Sequence, residues 1–467
     1  MDVKEKFQHL PLWFQKKFKR NREANLFLMI VFCVGIVMAC INPPFYECDG
    51  GLHYEWAMDV SYGNVLSPLA NLSGHNKDVV TVPENYSDIK YRLVKPDTGE
   101  GGEYIRYLKT VKFSSETREK ERDWIFTSLF YYPQALGLFL GRLFHVSVYW
   151  GVVLSRIMNL FAFLALVYTA IVITPVFKNI MAVAAMFPLA VYQAASLSPD
   201  SMLNGCCFLF TALCFSYAYR ERDHLGRKAA LGLGVLLGII SLHKYVYACL
   251  GLLVFLIPRK KFGTRKDYWK CFAIACIPLV ICAVLGMRNA TDTISVGQSF
   301  GVVDGMTQTQ FLMEHPRFIF KLLYRTLRYK FNDYMLWLNT LGSLDCMLGP
   351  MVHLVPGLAV FVASLDQNDV SANIRRRDKY LGLFVFLLIS VGIVMGLYIG
   401  DGRANPVGSD VVQGVQGRYF IPVIPVFLAA ICPKGYRSKI SHFAEKAAGA
   451  MAVMLLYSTF ILYRSCS

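Results

Sequence analysis

The chain alternates between uncharged apolar blocks and shorter polar segments. Each block runs for about 16 to 25 residues, the length that an α-helix needs to cross a hydrocarbon core of about 30 Å. The predicted spans are 26–42, 148–174, 179–197, 201–219, 228–243, 245–258, 270–287, 342–364, 379–399, 418–432 and 444–463. The pattern therefore predicts an all-α polytopic integral membrane protein with about eleven transmembrane helices, which form one transmembrane domain over residues 26–467.

The N-terminal segment, residues 1–25, is basic and aromatic, and we expect it to be cytoplasmic with Phe7–Lys19 at the membrane interface. The apolar run that follows is longer than the core of a signal peptide and lacks a small-residue cleavage site. We therefore expect it to be retained as the first helix.

Composition supports a membrane protein. Hydrophobic residues make up 55% of the chain and charged residues 17%, whereas a soluble domain carries about a quarter charged residues. The thirteen cysteines show neither a CxxC pair nor a Cys/His spacing that zinc requires.

The basic residues are distributed unevenly between the loops. With a cytoplasmic N-terminus, 26 of the 48 Lys and Arg residues fall on the cytoplasmic side, and the short loops near Asp200, Lys244 and Asp401 carry almost none. This asymmetry follows the positive-inside rule. It predicts a multi-pass protein of the cell (plasma or inner) membrane with an extracytoplasmic C-terminus. Because topology accounts for the net charge of +16, we expect no nucleic-acid partner.

Two long segments then face outward, residues 43–147 and residues 288–341. The first ends in an amphipathic stretch, Ser128–Phe144, which we expect to lie in the interface. The second contains Pro316–Tyr334, whose cations recur at helical spacing and would lie near the phosphates of membrane lipids.

Ionisable residues near lipid are costly, and here they concentrate at the predicted outer ends of the helices. The candidate site residues in this layer are Asp49, His53, Asp200, Asn204, Lys244, Arg288, Arg403, Gln416, Arg418 and Tyr419. Carboxylates and cations thus occur together. A site that transfers a group from a lipid-linked phosphate needs both, because cations hold the phosphate leaving group and a carboxylate takes the proton of the acceptor hydroxyl.

Each candidate also has a purely structural interpretation. Asp200 follows a proline and could cap the next helix. Lys244 and Arg418 could extend to lipid headgroups, and His53 could be a hydrogen-bonded loop residue. Arg156, deeper in the second span, could serve only to pair helices, as could Asn159.

Several sequence blocks resemble a large uncharacterised family of bacterial polytopic membrane proteins, which is itself similar to the C-type glycosyltransferase superfamily. The most specific blocks are GVQGRYFIP at 414–422 and SPDSMLN at 198–204. The others are PP at 43–44 with DGGLH at 49–53, YYPQALGLFLGRL at 131–143, SRIMNL at 155–160, LHKYVY at 242–247 and LGSLD at 341–345.

The resemblance implies a glycosyltransferase of C-type fold that takes a polyprenyl-phosphate-linked sugar donor at the outer leaflet. Asp49 matches the acidic residue of the first outer loop and would be the catalytic base, with His53 assisting. Our leading hypothesis adds that Lys244, Arg403 and Arg418 hold the donor phosphate and that Asp200 with Asn204 orients hydroxyls or a divalent cation. The chain departs from the family pattern at Gly50, where a second acid is expected; Glu47 could replace it only if the loop folded back.

Two other classes of function remain open. A transporter or flippase for lipid-linked saccharides would carry polar groups along a path at mid-membrane depth, where most of these spans have none. A non-catalytic assembly protein of an envelope-polysaccharide pathway would agree with the missing second acid. A polysaccharide polymerase is a close relative of the transferase hypothesis. The acceptor in each enzymatic case would be an envelope glycan, lipid or protein.

Overall fold

A computed structural model describes residues 21–65, 79–89, 99–121, 129–220, 225–303, 305–366, 374–433 and 440–466. The predicted cytoplasmic segment, including Phe7–Lys19, lies almost wholly outside the described residues. The α-helices are α1 (Arg22–Ile41), α2 (Gly50–Ser61), α3 (Tyr86–Ile89), α4 (Gly99–Thr110), α5 (Tyr132–Leu143), α6 (Val148–Ile173), α7 (Lys178–Ala185), α8 (Pro188–Ala194), α9 (Asp200–Tyr219), α10 (Arg227–His243), α11 (Arg265–Ser299), α12 (Gln308–Glu314), α13 (Phe318–Trp337), α14 (Met351–Leu365), α15 (Arg376–Gly400), α16 (Ile424–Ile431) and α17 (Phe443–Cys466).

The remaining regular structure is short. Turns of 3-10 helix cover Leu129–Tyr131, Tyr245–Leu256, Arg259–Phe262, Gly417–Tyr419 and Ile421–Val423. Strand β1 (Val79–Pro83) pairs antiparallel with β2 (Thr117–Glu121), with Val79 opposite Glu121, and β3 (Thr340–Leu341) pairs with β4 (Cys346–Met347).

Six described helices are long and apolar enough to cross a membrane. They are α1, α6, α9, the first part of α11 (Arg265–Val284), α15 and α17. Shorter apolar helices at Tyr245–Leu256, α14 and Gly417–Ile431 accompany them. A mainly helical, multi-pass membrane protein is therefore confirmed.

The predicted third span, 179–197, is two short helices instead of one. Pro188 begins α8 after a break at Met186 and Phe187, because proline cannot continue the hydrogen-bond ladder of α7 but suits the first turn of a new helix. Most side chains of both helices are buried, so this segment lies inside the bundle.

Two boundaries in the second half of the chain differ from the predicted ones. Helix α11 continues to Ser299, so Arg288 lies within a helix instead of at its end. Residues 340–347 form the β3–β4 hairpin, and α14 begins only at Met351. The hairpin turn contains Gly342 at φ +66°, a left-handed conformation that glycine adopts without strain.

Small residues let neighbouring helices approach closely. A Cβ atom added to Gly137 of α5 would lie 2.2 Å from the Cα atom of Ser155 on α6, and one added to Gly234 of α10 would lie 2.2 Å from the carbonyl oxygen of Ala275 on α11. Close backbone contact between glycine-containing faces is typical of helix packing in membranes, where burial of apolar surface gives no net gain.

The helices arrange their charged termini at two opposite ends of the bundle. We define the polar end as the end at which α1 and α10 finish and α9 begins, near Asn42, Asp200 and Lys244. The opposite end carries described members of the basic clusters. There Arg22 pairs with Glu445 at 3.2 Å, and Arg220 donates to the carbonyl of Ile173 at 3.1 Å.

The described part of segment 43–147 forms a small subdomain at the polar end. Its core combines α2, the antiparallel pair of strands β1 and β2, and α5, and it includes Tyr54, Trp56, Val80 and Leu138. Helix α5, within the predicted interfacial stretch, leaves Leu136, Phe139, Leu143 and the following Phe144 exposed.

Candidate functional site

Four segments that are far apart in sequence meet at the polar end. Asp49 ends the turn before α2, Asp200 is the first residue of α9, Lys244 follows α10, and Arg418 lies in the 3-10 turn Gly417–Tyr419. Each lies at a helix terminus, where the chain leaves the apolar layer and an ionisable side chain costs less free energy than at mid-membrane depth.

Arg418 bridges the two carboxylates of this cluster. Its Nη2 atom donates to Oδ2 of Asp49 at 2.9 Å, and its Nε atom lies 3.7 Å from Oδ2 of Asp200. The three side chains differ in access: Asp49 is 47% exposed, Arg418 11% and Asp200 6%. Asp49 is therefore the carboxylate that a molecule entering from the polar end can reach.

Asp200 is held by several donors. Lys244 Nζ lies 2.5 Å from its Oδ1 atom, His243 Nε2 3.4 Å from the same oxygen, and Gln193 Nε2 donates to Oδ2 at 3.2 Å. Asn204 donates to Gln193 at 3.1 Å and so belongs to this network without touching Asp200 directly. Asp200 also lies in the positive field of the α9 N-terminus, which stabilises its negative charge. Its carboxylate therefore holds the Lys244 and Arg418 side chains in place.

Tyr419 supplies an aromatic wall beside the cations. The Lys244 ammonium lies 4.8 Å from the centroid of its ring, and the Arg418 guanidinium 5.4 Å. Tyr247 fixes this turn by donating its hydroxyl to the Tyr419 carbonyl at 2.6 Å. Gln416 lies close by, with Nε2 4.0 Å from Cys48 Sγ.

The Asp49 carboxyl is ionised at neutral pH. Its partial burial is the largest single effect and raises the pKa, but the charge and hydrogen bond of Arg418, with smaller contributions from His53 and Cys48, together bring the net pKa below the ordinary value. Asp49 adopts φ +61°, a left-handed conformation that costs energy for a non-glycine residue. This turn directs the carboxylate toward Arg418 and away from α2.

His53 lies behind Asp49 on the next turn of α2. Its Nδ1 atom is 2.8 Å from the hydroxyl of Tyr131, whereas Nε2 is buried and has no hydrogen-bond partner in the described part of the chain. Burial lowers the pKa of His53 to about 4, so the imidazole is neutral at pH 7. The structure thus places His53 beside the site but shields it from solvent.

A buried ion pair that the sequence did not reveal positions this turn. Arg156 of α6 is fully buried and contacts Oε2 of Glu47 at 2.7 Å, while Oε1 of Glu47 accepts from the backbone N–H of Leu197 at 2.9 Å. Arg156 also donates to the carbonyls of Asn42 at 2.6 Å and Pro43 at 2.8 Å, just after the end of α1. The signal in the sequence was a lone arginine in an apolar block, and its expected role in pairing helices extends to holding the loop before Asp49.

The backbone around Gly50 leaves no room for the acid that the family pattern expects. A Cβ atom at this position would lie 2.9 Å from the carbonyl oxygen of Phe45 and 3.0 Å from Cγ of Glu47. Glu47 does not take the place of the missing acid, because both its carboxylate oxygens are used internally.

Two predicted cations are placed differently. The guanidinium of Arg403, in the turn after α15, stacks 3.9 Å from the ring centroid of Phe300. Arg288 lies within α11, and its side chain is outside the described part of the structure. The structure therefore brings together Asp49, Asp200, Asn204, Lys244, His53, Gln416, Arg418 and Tyr419.

The described residues contain no group of three or more His, Cys, Asp or Glu side chains suited to a metal ion. The expected divalent cation would have to lie at Asp200, where Lys244 and Arg418 already supply positive charge. The residues present therefore do not fit a metal at this position.

An apolar groove of about 580 Å³ adjoins the cluster. Four helices and the turn before α16 form its walls. Its lining includes Leu323, Thr326, Leu327, Phe331 and Tyr334 of α13, Pro356, Ala359 and Val360 of α14, Phe386, Leu387, Ser390, Val391 and Val394 of α15, and Phe420, Ile424, Phe427 and Leu428. Phe420 connects the groove to the cluster, since it follows Arg418 and Tyr419 in the chain.

Comparison with known families gives one match. The chain belongs to the family described as predicted membrane protein (DUF2142), whose model matches residues 32–427. Neither the curated proteins nor the solved structures provide a match.

Proposed function

We propose that this DUF2142 membrane protein is a glycosyltransferase that moves a sugar from a polyprenyl-phosphate donor to an acceptor hydroxyl of an envelope glycan, lipid or protein. The observation that carries the proposal is the cluster at the polar end. An exposed, ionised carboxylate, Asp49, shares Arg418 with a buried carboxylate, Asp200, and Lys244 lies alongside. The apolar groove beside this cluster supports a substrate that has a hydrocarbon tail.

The reaction would be a single displacement at the anomeric carbon. Asp49 takes the proton of the acceptor hydroxyl, whose oxygen forms the new bond to the sugar. The bond between the sugar and the phosphate oxygen breaks, and the phosphate leaves with the electron pair. Arg418 and Lys244 stabilise the charge that develops on this leaving group. The configuration at the anomeric carbon is inverted.

Binding of the donor would also adjust the base. In the structure Arg418 is paired with Asp49, and this pairing lowers the pKa of the carboxyl against the effect of burial. A donor phosphate competes for the same guanidinium. Once Arg418 turns to the phosphate, Asp49 loses its counter-ion, its pKa rises and it becomes a stronger base. We therefore expect the donor to bind before proton transfer begins.

The sidedness of the site is part of the proposal. The basic residues near Arg22, Arg220 and Arg376 lie at the end of the bundle opposite to Asp200, which agrees with a cytoplasmic N-terminus under the positive-inside rule. The polar end would then face the extracytoplasmic side of the cell membrane, where the acceptor is located.

The direct test is an assay of the purified full-length protein in lipid vesicles. Labelled polyprenyl-phosphate sugars are presented with envelope acceptors, and transfer of the label is followed in the wild type and in Arg418→Gln and Lys244→Gln variants. We expect transfer by the wild type and a loss of about 100-fold in each variant, since each removes a donor to the developing charge. Equal transfer by the wild type and both variants would remove the basis of the proposal.

One observation favours a second candidate, a non-catalytic assembly protein of an envelope-polysaccharide pathway. Gly50 stands where the resemblance implies an acid. A Cβ atom added at this position would lie 2.9 Å from the carbonyl oxygen of Phe45. Under this alternative the wild type shows no transfer with any donor, while cells that lack the protein lose surface glycan and recover it with the Asp49→Asn variant.

A further inference from the structure

The lining of the groove is almost wholly apolar, which suits a hydrocarbon chain. Two of its polar side chains are already satisfied within the protein: Thr326 Oγ1 accepts from the N–H of Val412 at 3.1 Å, and Ser390 Oγ donates to the Phe386 carbonyl at 2.8 Å. A volume of about 580 Å³ is within the range that accommodates a drug-sized ligand. A long lipid chain therefore fits only in part.

The end of the groove nearer the charged cluster is marked by Phe420, which directly follows Tyr419 in the chain. Phe420 lines the groove and lies two positions after Arg418, and its ring centroid is 6.4 Å from that of Tyr334 on α13. A lipid whose phosphate contacts Arg418 and Lys244 would thus direct its first carbons past Phe420. This charge complementarity selects an anionic lipid head with a hydrocarbon tail.

At the end farther from the cluster, the lining stops at Phe386 on α15 and at Phe427 and Leu428 on α16. Phe386 of α15 and Phe427 of α16 pack with ring centroids 4.7 Å apart. From Phe386 to Val394 the groove follows eight helical steps, which is about 12 Å at 1.5 Å per residue. On the opposite wall, the seven steps from Phe427 back to Phe420 cover a similar distance.

The side of the groove is open toward lipid. Leu327 and Phe331 on α13 and Leu387 on α15 line it and are at least half exposed. A chain that reaches the aromatic pair can therefore turn outward between α13 and α15 and continue in the bilayer.

We infer that this groove holds the phosphate-proximal isoprene units of the lipid-linked donor and that the Phe386–Phe427 pair sets how many units are recognised. This rests on the proposed function for the identity of the head group. An isoprene unit adds four chain bonds, about 5 Å when extended, so the groove accommodates about two to three units. Units beyond these remain in the membrane and contribute nothing to recognition.

The test is a binding series with the full-length protein in phosphatidylcholine vesicles. Polyprenyl monophosphates that lengthen by one isoprene unit at a time compete with a photoreactive polyprenyl phosphate for crosslinking. We expect affinity to rise about threefold for each of the first two to three units, since packing alone distinguishes the groove from an equally apolar bilayer, and then to stay constant. Affinity that is independent of length, or that rises through the whole series, would overturn the inference.

Two variants and one control make the length boundary specific. Phe386→Ala removes one ring of the aromatic pair, so the plateau should move to a longer chain by about one unit. Val391→Trp fills the groove from its exposed side and should remove the length dependence altogether. Phe361→Ala, an exposed aromatic of α14 outside the lining, should leave the series unchanged. If the plateau stays in place in both groove variants, the aromatic pair does not set the boundary.

The two proposals fail separately. A plateau in binding without any sugar transfer would leave the lipid site standing and remove the transferase. Transfer that depends on Arg418 but not on chain length would do the opposite.

Discussion

Arg418 and Asp49 are 369 positions apart in the chain, yet they form a 2.9 Å ion pair at the polar end of the bundle. The same guanidinium lies 3.7 Å from Asp200. One cation thus connects the exposed carboxylate with the buried one, and the predictions below follow from this arrangement and from the residues that hold it.

The first prediction concerns the pH dependence of transfer. Burial raises the pKa of Asp49, and the charge and hydrogen bond of Arg418 are the main effects that lower it, so an Arg418→Gln substitution should raise that pKa. The acid limb of the kcat/KM profile, which reports the free enzyme in which Arg418 is still paired with Asp49, should then move to higher pH. The residual activity of the variant is measured across mildly acidic pH. Arg403→Gln, which removes a cation stacked on Phe300, serves as the control and should not move the limb.

The second prediction concerns the buried Glu47–Arg156 pair. Glu47→Gln leaves the fully buried Arg156 without its counter-ion, and Arg156→Met leaves Glu47 without one. Each should lower the free energy of unfolding by about 3–5 kcal/mol, because an unpaired charge remains in an apolar interior. The double variant, Glu47→Gln with Arg156→Met, should be more stable than the worse single variant. Denaturant unfolding in detergent micelles measures all three, and two single variants as stable as the wild type would contradict the assignment.

The third prediction tests the close packing at Gly50. Introducing the acid that the resemblance implies at this position, with Gly50→Glu, places a side chain against the Phe45 carbonyl oxygen, 2.9 Å from the new Cβ atom. We expect a less stable protein and lower, not higher, transfer activity. Gly102→Glu, at a helical glycine of α4 with open space around it, controls for the cost of adding an acid to a glycine of the same segment. An increase in transfer by Gly50→Glu would show that the loop adapts.

The fourth prediction concerns stability at acidic pH. Burial lowers the pKa of His53 to about 4, whereas the unfolded chain has an ordinary histidine pKa of about 6.5. Between these values the unfolded state binds more protons, so stability falls as pH drops from about 6.5 to about 4. His53→Gln should have a flatter thermal-stability profile over this window. An unchanged slope would mean that His53 is not buried as a neutral group.

The parts of the fold that the sequence predicted are those with uniform apolar composition and charged ends. The spans 26–42, 148–174, 201–219 and 379–399 correspond closely to α1, α6, α9 and α15. Pro188 divides the third span because proline cannot continue the hydrogen-bond ladder of α7. Whether a proline breaks a buried helix depends on the contacts around it, which the sequence pattern does not contain. Arg288 marked an end by its polarity, but helix α11 continues through it.

Eight of the ten candidate residues lie together in the structure, as the sequence predicted. The contacts between their side chains were not predictable. Asp49, Asp200, Lys244 and Arg418 all follow or precede apolar spans on one side of the predicted topology, so their meeting follows from alternation of the helices. That Arg418 would join both carboxylates depends on side-chain geometry, which helical periodicity does not contain. Glu47 lies two positions before Asp49 in sequence, and only the tertiary position of Arg156 on α6 makes it a buried structural residue.

The groove left no trace in the sequence analysis. Its walls come from α13, α14, α15 and α16, and apolar side chains that line a groove look the same in sequence as those that face lipid. Sequence patterns report whether a residue prefers an apolar environment, but not whether protein or lipid supplies it.

The measurement that tests the central claim most directly is a single-turnover transfer assay of Asp49→Asn with bound donor. The substitution keeps the size of the side chain and its contact with Arg418 but removes the base. We predict that transfer falls by about 100-fold to 10,000-fold while donor binding is retained. Asp333→Asn, an acid of α13 paired with Lys330 outside the site, should transfer normally. Transfer at the wild-type rate by Asp49→Asn would contradict the account.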